Sequence, residues 1–486
     1  MSGELKLNLL NLTKGAALYG AADFISAVVR FSLVAVITRI LSPSNFGTYA
    51  IISATIQFAC AVLPLSLPTA MIIQFRESDS FQMTRLRNTT MLFVMQICGL
   101  AAAVFWIGSK VFFAGSPVSG LAAWILLWSV SDALGMVPRM SLRFKQKIVL
   151  FGAARLIRTL VMVVSLLWLI AVRYGGLTAI VLSEAAGATA EFVFACIFDK
   201  FLPRPGRLAG LRTMLSAGVP LTLVGLGIFL NDLSDRYVVF TFLGKQANGY
   251  YAAAAKIALA GSFCAEAFNS MWFPFFFRFV QKKEYQQSEI VDFSKKLVLL
   301  FAALIGFLCI VLPRLFTLKL FGKYFISPVY HNVAALVAPL TLVYFFKMAM
   351  YISTPVLTYR NRIARLSSIT WIAAIVNVST NIMWCGIFGH SHIFEALFAI
   401  ALMTSLSYGL CMVWVSKAAG VFQLRTWFLS STALFSVAFL GAAFLPCHWY
   451  LRIGIWMVFS LVLYNRHFKN SNILQRLVGL LTKDET

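Results

Sequence analysis

Residues 218–260 read GVPLTLVGLGIFLNDLSDRYVVFTFLGKQANGYYAAAAKIALA. An apolar run with Pro220 near its start gathers Asp232, Asp235 and Arg236 at its far end, turns at Gly244 to Asn248, and becomes apolar again. This pattern predicts a helical hairpin in lipid with charges at its hinge. The same wording occurs at residues 41–50, LSPSNFGTYA, where Leu41, Gly47, Tyr49 and Ala50 keep the spacing of Leu243, Gly249, Tyr251 and Ala252 at an offset of 202 residues. Phe144, Lys145, Gln146 and Lys147 recur as Tyr359, Arg360, Asn361 and Arg362 at an offset of 215. Both matches fall at corresponding places in two successive sets of six apolar segments, so the chain reads as one architecture used twice.

Composition sets the solvent. Of the 486 residues, 60% are hydrophobic and 12% charged, and the mean hydropathy is +0.84. So little polar surface cannot cover a water-soluble globule, which makes the chain a polytopic membrane protein. Its eight cysteines sit almost all inside apolar segments without metal-ligand or CxxC spacing. They read as small core residues, and neither a disulfide nor a cofactor is expected.

Spanning a bilayer takes about 20 apolar residues. The segments that qualify are 15 to 41, 47 to 72, 90 to 114, 119 to 138, 149 to 172 and 176 to 198, then 214 to 236, 247 to 275, 296 to 316, 333 to 354, 367 to 388 and 396 to 416, and finally 428 to 446 and 450 to 465. The expected fold is therefore all-α, with about fourteen transmembrane helices arranged as two six-helix lobes, 15–198 and 214–416, in a pseudo-two-fold repeat, and two further helices at 428–465. Residues 1–14 form a surface segment and 466–486 a tail. The first apolar segment is too long for a cleaved signal peptide and lacks a small-residue cleavage site, so it stays as the first anchor.

The formal net charge of +24 has to be sorted by topology before it is read as a partner signal. With the N-terminus cytoplasmic, 27 of the 41 Lys and Arg residues fall on inner segments, nine on outer segments and five inside helices. The positive-inside rule then places both termini in the cytoplasm, and most of the charge is a topology signal rather than a nucleic-acid footprint. Pro64, Pro68, Pro220 and Pro339 lie inside expected helices, where they free carbonyls and permit bending.

A charge at mid-bilayer costs roughly 2.5 to 3.5 kcal/mol on insertion scales. The basic residues that bear this cost are Arg30, Arg155, Arg158, Lys256 and Lys347; the acidic ones are Asp23, Asp132, Glu184, Glu191, Asp232, Asp235 and Glu266. Together they imply a hydrated interior path. Asp23 and Arg30 are seven residues apart, as are Glu184 and Glu191, so each pair shares a helical face; Asp232 and Arg236, four apart, can touch directly. For Asp232 and Arg236 the alternative is a hinge salt bridge, and for Arg155 and Arg158 it is snorkelling to inner headgroups. Guanidinium and ammonium groups recognise phosphate well, so a diphosphate head on a lipid tail would suit a cationic path between apolar helices. This makes Arg30, Arg155, Arg158, Lys256 and Lys347 the candidate substrate-binding residues. Asp23, Asp232, Asp235 and Glu266 are the candidates for coupling or orienting them.

RILSPSNFGTYA after the first helix, the phrase across residues 219–258, LFGKYFISPVY before the tenth helix, and the helix count resemble the polysaccharide transporter family (O-antigen and exopolysaccharide repeat-unit flippases). That family belongs to the multidrug, oligosaccharidyl-lipid and polysaccharide exporter superfamily. The resemblance spans essentially the whole chain through diffuse motifs. It implies a bacterial inner-membrane protein that moves undecaprenyl-diphosphate-linked oligosaccharide from the cytoplasmic to the periplasmic leaflet by alternating access, with Arg30 best fitting the cavity residue that holds the diphosphate. The implied partners are the lipid-linked oligosaccharide, membrane lipids and other polysaccharide assembly proteins. A multidrug or cation antiporter using Asp23, and a peptidoglycan lipid-precursor flippase, are alternatives within the superfamily. A membrane glycan polymerase or ligase is the alternative from another class, but the short outer loops offer no place for its catalytic residues, so no enzyme activity is expected.

Overall fold

The computed structural model describes residues 25–75, 80–112, 117–145, 147–200, 210–281, 287–320, 322–360, 362–389, 391–419, 441, 451–458 and 460. Asp23, the surface segment 1–14 and the tail 466–486 lie outside these residues, as do parts of the expected helices 15 to 41 and 450 to 465 and nearly all of 428 to 446.

Thirteen helices run in order to residue 419: α1 (25–40), α2 Pro43–Val62, α3 Leu67–Phe75, α4 Ser80–Phe112, α5 Pro117–Phe144, α6 Ile148–Ala171, α7 Gly176–Phe198, α8 Leu211–Ala258, α9 Ala260–Gln281, α10 Gln287–Val311, α11 Ala334–Tyr359, α12 Ile363–Phe388 and α13 Ile393–Ala419. A further helix, α14, covers 451–458. A two-stranded antiparallel hairpin, β1 Lys319–Leu320 and β2 Lys323–Tyr324, lies between α10 and α11. Among the described residues, ten helices are long and apolar enough to cross a membrane. Their outward surfaces carry exposed Leu100, Val104, Leu160, Trp168 and Ile197, which lipid solvates and water would not. The protein is a multi-pass membrane protein.

The 48 residues of α8 would run about 72 Å if straight, more than twice a bilayer core of ~30 Å. They do not run straight. Gly244, at φ 88° and ψ 175°, breaks the helix into two arms with a backbone that only glycine adopts without strain. Tyr251 donates its hydroxyl to Asp235, a residue that would sit about 24 Å away along a continuous helix. The hairpin expected from the sequence is present, but its turn is one residue rather than the stretch Gly244 to Asn248.

Other boundaries shift for stated reasons. The expected helix 47 to 72 is split: α2 starts earlier, on Ser42, whose side chain accepts from the Asn45 N–H, with Pro43 in the first turn. It ends before Pro64, where Leu65 and Ser66 take φ of 47° and 49°. The helix expected to end at Pro138 continues to Phe144.

Two compact units result. Among the described residues, one comprises those within 25–253 and 370–400, the other those within 254–369 and 401–460. In the first, α7 packs on α5 and α6, and α5 also meets α2 and α4. Met91, Val94 and Cys98 of α4 interlock there with Ala133, Leu134 and Val137 of α5. Also in this unit, Trp371 and Asn377 of α12 donate to the Leu223 and Asn231 carbonyls of α8. In the second, α11 is buried along most of its length between α9 and α10; Trp272 donates to the Ile352 carbonyl, and Ser405 of α13 to that of Pro339.

The repeat becomes physical in the first unit. A methyl added to Gly47 would lie 1.9 Å from the Lys245 carbonyl oxygen, and one added to Gly249 would lie 1.7 Å from that of Pro43. Residues 43 and 47 correspond to 245 and 249 at the offset of 202, so the contact is reciprocal, as a two-fold relation requires. Leu41, Tyr49, Ala50, Leu243, Tyr251 and Ala252 are all buried beside it.

Candidate functional site

Spacing on three helices of the first unit brings six charges into one place. Asp132 and Arg139 lie seven apart on α5, Arg155 and Arg158 three apart on α6, and Glu184 and Glu191 seven apart on α7, so each helix offers both groups from one face. Arg158, 7% exposed, forks onto both oxygens of Asp132, bonds Glu191 Oε2 at 3.0 Å and lies 3.9 Å from Glu184. Arg139 meets the same Glu191 oxygen at 2.9 Å and donates to the Gly135 and Asp132 carbonyls. Arg155 Nε stands 3.7 Å from Glu191 Oε1, with its guanidinium 6.0 Å from the Phe151 ring. Trp128 donates to Asp132 at 3.0 Å. Three guanidinium groups and three carboxylates cancel formally. The cluster is therefore an internally neutral brace; removal of one partner of such a buried pair costs about 3–5 kcal/mol.

A second group lies where the C-terminal ends of α5 and α7 meet α4. Asp199, 2% exposed, accepts from Arg87 at 2.7 Å, Lys145 at 2.5 Å and Ser141 at 3.0 Å. By sequence, Arg87, Arg139 and Lys145 count among the basic residues of the connecting segments; the structure buries the charged ends of Arg87 and Arg139 and half-buries Lys145. Proline at 138 hid the continuation of α5 that brings Arg139 inward.

Tyr49 links this brace to α2 by donating to Glu184 Oε1 at 3.2 Å. Arg30 and Arg236 lie within electrostatic reach of the Tyr49 hydroxyl. Arg30 is half-buried in α1, and its Nε is shielded from solvent without a hydrogen-bond partner. None of the ion pairs among the described residues of this unit includes Arg30. Arg30 thus differs from Arg155 and Arg158, whose charges carboxylates already meet. Asp235 is buried, accepts from the adjacent Arg236 N–H and ties the two arms of α8 through Tyr251; Asp232 is half-buried one turn before it.

The remaining candidates belong to the second unit. Lys347 holds its ammonium 4.9 Å from the Tyr408 ring centroid and 5.7 Å from that of Tyr344, which partly stabilises a cation in an apolar helix. One turn further along the same face, Tyr351 donates to Glu266 of α9 at 2.9 Å. Lys256 is half-buried near the end of α8.

A bundle of this many long apolar helices with charges retained along its interior faces is a multi-pass membrane fold with a polar interior. It aligns with a structure titled lipid II flippase MurJ in an inward closed conformation at TM-score 0.69 and 15% identity, covering 93% of this chain and 99% of that one. Outward-facing and inward-facing MATE-family multidrug transporters of the MOP superfamily align at TM-scores of 0.56 and 0.55 with 14% and 15% identity, covering 85% and 84% of this chain and 96% and 95% of theirs. No curated protein sequence matches. Residues 36–330 match the polysaccharide biosynthesis protein family, and the chain belongs to that family.

Proposed function

We propose that this protein is a flippase-type transporter that carries undecaprenyl-diphosphate-linked oligosaccharide repeat units across the bacterial inner membrane by alternating access, with both termini cytoplasmic and Arg30 contacting the diphosphate. The observation that carries the reading is the state of Arg30: a guanidinium retained in an apolar helix, with a buried Nε that no described residue satisfies. Such a group is costly in lipid unless a ligand meets it, and a diphosphate offers the geometry that a guanidinium recognises best. Family membership supports polysaccharide assembly as the setting. Lys256 and Lys347 are proposed as supporting cations; Arg155 and Arg158 hold the brace and act on substrate only through it. Asp23 is proposed to orient Arg30 or serve as a coupling group, and Asp232, Asp235 and Glu266 to orient the charges around them. The proposed lobes, 15–198 and 214–416, are the repeat units, and the two extra helices at 428–465 follow the second.

The test is export in a deletion strain complemented with variants at matched protein level. Arg30→Ala should leave lipid-linked repeat units on the cytoplasmic leaflet. Normal export by that variant would contradict the reading, and accumulation of a cationic drug in its place would favour an antiporter.

A further inference from the structure

We infer that the second unit carries a water-facing polar stripe along α11 and the adjoining face of α9 that binds the sugar hydroxyls of a glycan-bearing lipid, a ligand class that rests on the flippase reading. Of residues 336–355 in α11, all are buried except Tyr344, Lys347, Tyr351 and Thr354. These four follow one another at intervals of three, four and three residues, which puts them on one helical face. Where this stretch of α11 is accessible it is polar, and its aliphatic residues are buried.

A helix whose accessible face meets lipid shows the opposite pattern. On α6, Leu156, Leu160, Val164 and Trp168 are exposed, as acyl chains require. An ionisable residue within a membrane helix faces the bundle interior or a water-filled cavity, so the face that carries Lys347 looks onto water. Helix α9 meets this face at two points. The Tyr344 ring lies against Gly261, where an added methyl would come within 2.7 Å of it, and Tyr351 donates to the exposed Glu266 at 2.9 Å. Glu266 shares its own helical face with Ser262 and Asn269, four residues before it and three after, both half-buried.

Aromatic faces and polar groups alternate along the stripe, with the Lys347 ammonium held over the Tyr408 and Tyr344 rings. Sugars offer both kinds of surface: hydroxyls that donate and accept, and ring C–H faces that pack on aromatic rings. Tyrosine meets both with one side chain, while the Lys347 ammonium donates and the Glu266 carboxylate accepts. These two charges balance formally. A carboxylate on the stripe repels a diphosphate, so the part of the ligand that fits here is the hydroxylated chain attached to it.

The test offers the full-length protein, in phosphatidylcholine nanodiscs, either the lipid-linked repeat units extracted from the deletion strain or undecaprenyl diphosphate, and counts retained lipid by native mass spectrometry. Tyr351→Phe with Thr354→Val removes two hydroxyls at nearly constant shape. It should lower retention of the glycosylated lipid about tenfold and leave that of undecaprenyl diphosphate unchanged. Arg30→Ala should lower both, since both carry the diphosphate; unchanged retention there would count against the diphosphate reading and not against the stripe. Thr354→Cys should be modified by a charged, membrane-impermeant thiol reagent, and Leu160→Cys on α6 should not. Equal retention of the glycosylated lipid by the double variant and the wild type, an equal loss of both lipids, or a thiol at 354 as unreactive as one at 160 would overturn the inference.

Discussion

Gly47 and Gly249 meet at backbone contact: a side chain on Gly47 would run into the Lys245 carbonyl and the Gly249 nitrogen, and one on Gly249 into the Pro43 carbonyl and the Gly47 nitrogen. Asn248, next to Gly249, donates from Nδ2 to the Gly47 carbonyl at 2.9 Å. The two glycines hold equivalent places in the repeat, so a pattern first visible as four matched letters is the seam along which the first helical hairpin, α1 with α2, meets its counterpart in α8. Gly249→Ala is expected to force these backbones apart, at a cost of about 1–3 kcal/mol for overpacking. Thermal unfolding of the purified protein checks this, and a wild-type midpoint would show that the close approach is dispensable.

Arg158 is expected to matter for folding rather than for substrate. Arg158→Met leaves Asp132 and Glu191 with an unbalanced buried charge, so folded yield should fall steeply, in line with a loss of about 3–5 kcal/mol. Monodisperse elution from a size-exclusion column measures it. A well-folded variant that fails only in export would instead place Arg158 on the substrate path.

The α8 hairpin makes a smaller, local prediction. Tyr251→Phe removes the donor to buried Asp235 and should cost about 1–3 kcal/mol, because the carboxylate loses a partner where water does not replace it. Thermal stability should fall while the hairpin remains formed. Asp235→Asn should be milder, since an amide oxygen still accepts from Tyr251; a larger loss in Asp235→Asn than in Tyr251→Phe would contradict this ordering.

Topology is checked separately. Single cysteines at positions 360–365 should stay unreactive to an impermeant reagent in intact cells, as the 27-to-9 distribution of basic residues demands. External labelling there would invert the proposed orientation.

How far the sequence could be read depended on what each residue reports. Gly244 acts on its own backbone, so the hairpin was visible in the chain; Pro64 and Pro68 read only as bends within one helix, and the break between α2 and α3 depends on Leu65 and Ser66 taking positive φ, which no residue type there announces. Helical spacing also showed that Glu184 and Glu191 share a face. Which helix lies opposite that face is a property of packing, and no spacing within α7 reveals Arg158 or Arg139. Charge balance was hidden for the same reason: Arg155 and Arg158 looked like available cations until Asp132, Glu184 and Glu191 were found beside them. Tyr49, uncharged, gave no signal of its link to Glu184 except its place in the repeat.

The central claim is that Arg30 meets the diphosphate of a lipid-linked substrate, and export by Arg30 variants at matched expression tests it most directly. The account predicts that Arg30→Ala folds normally and abolishes export, and that Arg30→Lys retains part of it where charge dominates and none where the planar fork is required. Normal export by Arg30→Ala would contradict the claim and leave α1 carrying a structural arginine.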